Sequence, residues 1–257
     1  MSHVITQKIG KVGYVTMNRP EKGNALSNSF TLKLTKAIVE FNHDKDIVII
    51  VIKSSGDVFC EGADQTYMEE LMHYSYPENI KDSFDLMKLY KAIYLSPKIT
   101  IAQVEGNAVS GGAGIAINTD FCFSTPTARF GFVETKTGFI PGIVLNFLRL
   151  KIGTAQLKKL LFTSQLIPAE KAQTIGMITE VVDDNMTAFI DSFTNSLLKS
   201  NSHDSLLTTK EVLIKSESMT LEDALSYSAT MNASSRETKD SKKGIEAFLM
   251  NEKVKWC

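Results

Sequence analysis

A glycine-rich stretch in the middle of the chain constrains the fold more than any other part of the sequence. Residues 99–117 read ITIAQVEGNAVSGGAGIAI, so a β-branched run leads into a turn and then into a segment of Ala, Gly and Ile. The β-branched run is typical of a strand, and a helix is predicted after the glycine turn. Because strand and helix patterns alternate along this part of the chain, we expect an α/β fold with largely parallel strands.

The other predicted elements follow the same alternation. Extended segments are predicted at residues 4–9, 14–17, 47–52 and 99–104, and helices after Ser27, at about 66–74 and before Pro97. After residue 140, helical patterns follow one another at 143–150, 154–162, 168–176 and 187–199, with one strand signal at 178–182. We therefore expect a core at residues 1–195 and a C-terminal helical region at residues 196–257.

The composition excludes several classes of protein. Of the 257 residues, 43% are hydrophobic, and 28 Lys and Arg nearly balance 29 Asp and Glu, so no nucleic-acid partner is expected. The longest aliphatic run, residues 47–52, is far shorter than the roughly 20 residues of a membrane span. Cys60, Cys122 and Cys257 form no Cys-x-x-Cys pair, and the four histidines are scattered. We expect a cytoplasmic protein with reduced cysteines, no membrane partner and no metal site.

The glycine-rich turn is a candidate anion or oxyanion site. Its glycines allow a ligand to approach the main chain, and the free amides where the helix begins favour negative charge. Their spacing differs from G-x-G-x-x-G, and no Lys-Ser/Thr pair follows, which disfavours a nucleotide phosphate. The alternative is that the glycines only permit close packing of helix on sheet. The four positions are Gly106, Gly111, Gly112 and Gly114.

A second turn, SSGDVFCEGAD at residues 54–64, follows the aliphatic strand at 47–52. In open α/β sheets, ligands bind beyond the carboxyl ends of the strands, where both turns are predicted to lie. One amide from around Ala63 and one from around Gly111 can then point at the same oxygen. That geometry stabilises an enolate derived from a thioester.

Glu134 is the only carboxylate in the segment ARFGFVETKTGFIPG, residues 128–142. Its neighbours in sequence include several aromatic and aliphatic residues, and a partly desolvated carboxyl has a raised pKa that suits proton transfer near neutrality. The alternative is a solvated glutamate without a chemical role, as most glutamates are.

Several segments together resemble the crotonase, or enoyl-CoA hydratase/isomerase, superfamily. They are NRPEKGNALS (18–27), VFCEGAD (58–64), GNAVSGGAGIAINTDF (106–121), FGFVETKTGFIPG (130–142), AEKAQTIGMITEVV (169–182) and the late KKGIEAFL. The resemblance implies a crotonase-like spiral of ββα units. It also implies a C-terminal helical trimerisation region, and so a homotrimer or a dimer of trimers.

The same resemblance assigns residues to the site. It implies that the backbone amides of Ala63 and Gly111 form an oxyanion hole for a thioester carbonyl, and that Glu134 is catalytic. The residues it places at the substrate are Gly62, Asp64, Gly112 and Ala25.

One departure from the family pattern limits the expected activity. The hydratases of the family place two glutamates around the substrate, and the corresponding positions here are Gly114 and Glu134. We therefore expect a poor classical hydratase. A single carboxyl can still shuttle a proton, as dehydration of a 3-hydroxyacyl thioester or isomerisation requires. Five tyrosines follow the second turn, and one can donate to a leaving hydroxyl, although core packing is predicted for each: Tyr67, Tyr74, Tyr76, Tyr90 and Tyr94.

A second departure concerns the carrier of the acyl group. Lysines that bind coenzyme A in many family members are replaced here by Thr66 and, in our alignment, Asn251. This favours an acyl carrier protein as partner, with the substrate on its phosphopantetheine arm, over coenzyme A. No other cofactor is implied.

Both departures are similar to those of the 3-hydroxy-3-methylglutaryl-ACP dehydratases of polyketide β-branching cassettes, which produce 3-methylglutaconyl. We therefore predict a dehydratase, a lyase that works through an enolate. The alternatives are an enoyl-CoA hydratase/isomerase, a 3-methylglutaconyl decarboxylase and a non-catalytic scaffold of the same fold. The distal carboxylate of this substrate would require a cation or several donors, and the candidate cations are Lys88, Lys91, Lys136 and Arg149.

Overall fold

The computed structural model describes residues 2–256; Met1 and Cys257, with its predicted thiol, lie outside the described residues. The strands are β1 (Val4–Ile9), β2 (Val12–Met17), β3 (Ile49–Ser54), β4 (Ile99–Val104), β5 (Ala108–Val109), β6 (Phe121–Ser124), β7 (Arg129–Gly131), β8 (Ile167–Pro168) and β9 (Glu180–Val181). The helices are α1 (Asn28–His43), α2 (Gln65–Leu71), α3 (Tyr76–Tyr94), α4 (Gly111–Ile117), α5 (Leu145–Lys151), α6 (Thr154–Thr163), α7 (Ala169–Thr174), α8 (Met186–Ser200), α9 (His203–Ser216), α10 (Leu221–Arg236) and α11 (Lys239–Leu249).

The strands form two sheets, and the predicted α/β fold is confirmed. The larger sheet has the order β1-β2-β3-β4-β6-β9, and the smaller has the order β5-β7-β8. The pairs β2–β3, β4–β6, β6–β9 and β5–β7 are parallel, whereas β1–β2 and β7–β8 are antiparallel. The sequence patterns missed β5 to β8 because these strands are two to four residues long, too short to show a period.

The core lies on both faces of the central strands. All six residues of β4 are buried, as expected for a parallel strand covered on both sides. Helix α1 begins at the predicted cap, where the Ser27 hydroxyl accepts from the Phe30 amide at 3.4 Å. Its apolar face buries Phe30, Leu34 and Ile38, which recur every four residues in the sequence. The helix therefore follows from the spacing of its apolar residues.

The chain divides into two compact units. The first contains residues 2–96 and 100–189, and the second contains residues 97–99 and 190–256. The division therefore falls inside α8, between Phe189 and Ile190, a few residues before the predicted boundary at 195/196. In the second unit, helices α9, α10 and α11 have hydroxyl caps at Ser202, Thr220 and Thr238.

Helices in the described part of the chain do not combine the length and apolar character needed to cross a bilayer. The two cysteines among the described residues, Cys60 and Cys122, are free and buried. Burial raises the pKa of each thiol to about 12, so both remain protonated.

Candidate active site

The two predicted turns are held side by side by main-chain pairing. Cys60 and Ala108 form a parallel bridge, in which the Cys60 amide donates to the Asn107 carbonyl at 3.0 Å and the Val109 amide donates to the Cys60 carbonyl at 2.9 Å. Ala63 lies three residues after Cys60, and Gly111 lies three residues after Ala108. The pairing therefore brings together the two amides that the sequence analysis singled out.

Glycines allow these turns to approach so closely. A Cβ on Gly112 would lie 2.4 Å from the carbonyl oxygen of Cys60, and a Cβ on Gly62 would lie 3.2 Å from the Ser110 Cβ and 3.4 Å from the Val109 carbonyl oxygen. Gly62 also has φ +93°, in the region that favours glycine. The glycines therefore do permit close packing, and this packing brings the two candidate oxyanion donors near each other.

The amides of Ala63 and Gly111 are free to bind a ligand. Gly111 is the first residue of α4, so its N–H has no partner within the helix. The Leu26 amide donates to the Gly62 carbonyl at 2.6 Å, and the Asp64 amide donates to the Leu26 carbonyl at 2.8 Å. Since Ala63 lies between these two bonded residues, its own N–H points to the opposite side of the segment. Among the described residues, no protein acceptor takes either amide hydrogen. Two donors are thus available for one oxyanion.

Both amides border a cavity of about 610 Å³ in the first unit. Gly62, Ala63, Gly111 and Glu134 line it together with residues of α2, α3 and the segment at 137–144. Most of the lining is apolar, as in small-molecule sites. The volume suits a short or branched acyl chain with part of its thioester arm.

Glu134 begins a short 3-10 turn, Glu134–Thr137, at the wall of this cavity. The side chain is half-buried, and among the described residues its Oε2 atom is buried without a hydrogen-bond partner. Burial raises the pKa of the carboxyl, and interactions with its own backbone amide and with the Ser110 hydroxyl partly oppose the rise. The predicted acid–base therefore lies at the same cavity as the two amides.

Ser110 links the glycine turn to the Glu134 segment, a role the sequence analysis missed. Its amide donates to the Gly131 carbonyl at 2.7 Å, and its hydroxyl accepts from the Val133 amide at 3.2 Å. Ser110 has φ +50° and ψ −116°, a strained conformation for a residue with a Cβ. Nothing in the sequence beyond its place before two glycines signals this role.

Tyr90 fills the space beside Gly114. A Cβ on Gly114 would lie 2.3 Å from the Tyr90 hydroxyl oxygen. The ring packs edge-on against Phe147 at 6.2 Å between centroids, in agreement with the predicted core packing. The hydroxyl, however, donates to the Gly111 carbonyl at 3.2 Å, and Tyr90 is part of the cavity lining. Tyr90 is therefore both a core residue and a site residue.

Three of the residues predicted to bind substrate, Ala25, Asp64 and Gly112, are not among the residues described as lining the cavity. The Asp64 carboxylate binds Arg19 at 2.8 Å and accepts from the Thr66 amide at 2.9 Å, which caps α2. Burial raises the pKa of Asp64, but Arg19 and the cap amides outweigh it, so the net pKa is lowered. Ala25 offers its carbonyl to Arg19 at 2.9 Å, and Gly112 packs on Cys60. These residues support the turns.

The charges around the cavity differ from the prediction. Glu61, Asp82 and Glu134 are in the lining, whereas the described lining residues include no Lys, Arg or His. The candidate cations Lys88, Lys91, Lys136 and Arg149 are therefore outside the described lining, and Lys88 pairs with Asp85 at 2.8 Å. Asp82 accepts hydrogen bonds from Tyr67 and Asn28. Such a surface disfavours a carboxylate on the acyl chain.

Within residues 2–256, no three His, Cys, Asp or Glu side chains are grouped so as to hold a metal ion.

Comparisons with known proteins agree with this geometry. The family profile described as "Enoyl-CoA hydratase/isomerase" matches residues 7–257. A putative enoyl-CoA hydratase of Thermus thermophilus is 34% identical over 240 residues, covering 93% of this chain and 95% of the relative. The (E)-benzylidenesuccinyl-CoA hydratase of Thauera aromatica is 31% identical over 242 residues, covering 92% of each. The structure of a putative enoyl CoA hydratase/isomerase (crotonase) from Legionella pneumophila superposes with a TM-score of 0.90 at 30% identity, covering 98% of each chain.

Proposed function

Because the chain belongs to the enoyl-CoA hydratase/isomerase family, the crotonase superfamily, we propose that it interconverts a 3-hydroxyacyl thioester and an enoyl thioester by removing or adding water. The observation that carries the proposal is a single one. Glu134, with one buried and unpartnered carboxylate oxygen, borders the same cavity as the free amides of Ala63 and Gly111.

In the dehydration direction, the ionised Glu134 carboxylate removes a proton from C2 of the thioester. The electron pair of the C2–H bond moves toward the carbonyl, and the Ala63 and Gly111 amides stabilise the negative charge on its oxygen. The enolate then forms the C2=C3 double bond as the C3–O bond breaks. Glu134 returns its proton to the leaving hydroxide, and water departs. Hydration is the reverse, so the same ionised form of Glu134 starts both directions.

The charges of the cavity narrow the substrate class. The predicted 3-hydroxy-3-methylglutaryl group has a free carboxylate, which would meet a lining with acidic side chains and no cation among the described residues. We therefore propose an uncharged acyl chain. We propose that the acyl chain is attached to a phosphopantetheine arm. We favour an acyl carrier protein over coenzyme A as the bearer of this arm, because Thr66 and Asn251 provide no cation for the nucleotide phosphates.

Isomerisation of an enoyl thioester is the second candidate. Moving a double bond by one position requires one base near C2 and C4 and an oxyanion hole, but no second acid. The presence of Gly114 instead of a carboxylate favours this reaction as much as dehydration. Product analysis distinguishes the two, because isomerisation leaves the mass unchanged and hydration adds one water.

The test compares two carboxylates of the same cavity. We expect Glu134→Gln to lower the hydration rate of a crotonyl thioester by about 100-fold or more, since it removes the only proposed acid–base. The matched control is Glu61→Gln, a second cavity-lining carboxylate to which no proton transfer is assigned, and its rate should stay within about three-fold of the wild-type rate.

The assay follows product mass with each protein at equal concentration. Undiminished hydration by the Glu134→Gln variant would remove Glu134 from the mechanism. A wild-type protein that leaves every tested thioester unchanged would favour the non-catalytic scaffold.

A further inference from the structure

We infer that Tyr90 is a second catalytic residue, whose hydroxyl donates a hydrogen bond to the hydroxyl that leaves C3 or to the water that adds there. The inference rests on the proposed hydration and dehydration. In it, Tyr90 stabilises the oxygen that leaves or joins C3, and Glu134 transfers the proton.

The Tyr90 hydroxyl lies over the first turn of α4, beside the oxyanion donor. Its oxygen is 3.2 Å from the Gly111 carbonyl oxygen and would be 3.7 Å from a Cβ on Gly111. The hydroxyl therefore lies beside Gly111, the residue whose amide is one of the two proposed oxyanion donors. A substrate whose carbonyl occupies that amide presents its neighbouring carbons to this part of the cavity.

The hydroxyl is only weakly engaged by the protein. Its bond to the Gly111 carbonyl, at 3.2 Å, is long for an O–H···O hydrogen bond. In the described part of the chain, no donor group bonds to the Tyr90 oxygen. The side chain is 1% exposed, and Tyr90 is among the residues that line the cavity. A substrate hydroxyl can therefore replace the carbonyl as its acceptor.

The ionisation of Tyr90 fits a donor and excludes a base. Burial, and after it the negative charge of Glu134, raise the pKa of the phenol far above its usual value. The phenol remains protonated in both directions of the reaction. It donates a hydrogen bond without giving up its proton, so the proton removed from C2 by Glu134 is the one that leaves with water.

The packing around Tyr90 explains why residue 114 is glycine. A Cβ there would come within 2.3 Å of the hydroxyl oxygen and 2.5 Å of the ring carbon that bears it. Any larger residue would therefore displace the phenol from its present position. Gly114→Ala therefore displaces the hydroxyl without changing Tyr90 chemically, and it gives a second, independent variant.

Two assays separate stabilisation of the C3 oxygen from proton transfer at C2. The first measures hydration of a crotonyl thioester. The second measures exchange of the C2 protons of a butyryl thioester in deuterated water, which needs Glu134 and the oxyanion amides but has no hydroxyl to lose. We expect Tyr90→Phe to lower hydration by about 10- to 100-fold, the effect of losing one hydrogen bond to a charged group, and to change exchange by less than about three-fold.

The matched control is Tyr94→Phe, one turn further along α3. Its ring packs on Phe147 at 5.1 Å, and it is not among the described lining residues. Both rates should remain within about two-fold of the wild-type rates. Gly114→Ala should lower hydration as Tyr90→Phe does.

Each outcome decides one question. Selective loss of hydration in Tyr90→Phe supports the inference. Unchanged hydration, or an equal loss of hydration and exchange, overturns it, because the second result would show only a packing role. A wild-type protein that exchanges protons without hydrating also overturns it while leaving Glu134 in place. Failure of the wild type in both assays overturns the proposed function, and the inference with it.

Discussion

At the scale of single residues, Glu134 shows how the burial of a proposed catalytic group opposes folding. Its carboxyl is half-buried and has an oxygen without a partner among the described residues. The raised pKa means that the folded protein holds the proton more tightly than the unfolded chain does. The contribution of this group to stability is therefore fully present below its ordinary pKa and is lost as the pH rises through the raised value.

This linkage predicts that the inactive variant is the more stable one. We expect Glu134→Gln to raise the melting temperature by about 2 °C at pH 8, because the amide avoids burying a charge. The difference should disappear near pH 4, where the glutamate is protonated. Thermal unfolding followed by circular dichroism at the two pH values checks this, with the exposed Glu61→Gln as control. A lower melting temperature at pH 8 would contradict the assigned burial cost.

At the scale of elements, the site depends on the pairing of two short segments that are far apart in sequence. The bridge between Cys60 and Ala108 fixes where Ala63 and Gly111 lie, and Ser110 ties the second segment to Glu134. Asp64 belongs to the same frame, since its bond to the buried Arg19 fastens the start of α2. Several residues of the two turns therefore serve to position the main-chain amides, and direct contact with a substrate is not assigned to them.

A glycine substitution tests this frame. We expect Gly112→Ala to destabilise the protein by about 1–3 kcal/mol, since the new Cβ would lie 2.4 Å from the Cys60 carbonyl oxygen and 2.5 Å from the Cys60 Cβ. Hydration should fall by at least about 10-fold, because the two amides would lose their alignment.

The matched control for this substitution is Gly153→Ala, where the added Cβ has no neighbour within 4 Å and φ is −65°. Its stability should change by less than about 1 kcal/mol, the cost of alanine in place of glycine at the N-cap of α6. Denaturant unfolding and the hydration assay measure both effects, and an unaffected Gly112→Ala variant would show that the turns need not approach so closely.

At the scale of the whole molecule, the cavity bears on the choice of substrate, and the exposed apolar residues of the second unit bear on oligomerisation. Several elements of the first unit together create a cavity of about 610 Å³ whose described lining has acidic but no basic side chains. In the second unit, large apolar residues are exposed on the helices, among them Leu221 and Phe248, 77% and 80% exposed. Such residues fit an oligomer interface, and the trimer remains a prediction.

The cavity predicts a preference for uncharged acyl chains. We expect kcat/KM for 3-hydroxybutyryl thioesters to exceed that for 3-hydroxy-3-methylglutaryl thioesters by about 100-fold or more, since a buried carboxylate without a cation is costly. Each substrate is to be compared on coenzyme A and on an acyl carrier protein by mass spectrometry of the products. Preferred turnover of the 3-hydroxy-3-methylglutaryl thioester would contradict the proposal and restore the β-branching substrate.

The sequence by itself determined the fold class, and it singled out the two glycine turns and Glu134 as candidates for the site. These features follow from local patterns, such as the apolar stripe of α1 or the aromatic neighbours of Glu134, and local patterns are visible without the rest of the chain. The short strands lay beyond this reach because two to four residues have no period.

Only the tertiary structure decided how the site is completed. Tyr90 meets Gly114 because α3 packs over α4, and Asp64 binds Arg19 across 45 positions of sequence. The sequence around a tyrosine is the same whether its hydroxyl packs in the core or reaches a cavity. Likewise, the sequence around an aspartate does not show whether its carboxylate contacts a substrate or a buried arginine. These roles depend on distances between segments, which packing sets and a linear pattern does not contain.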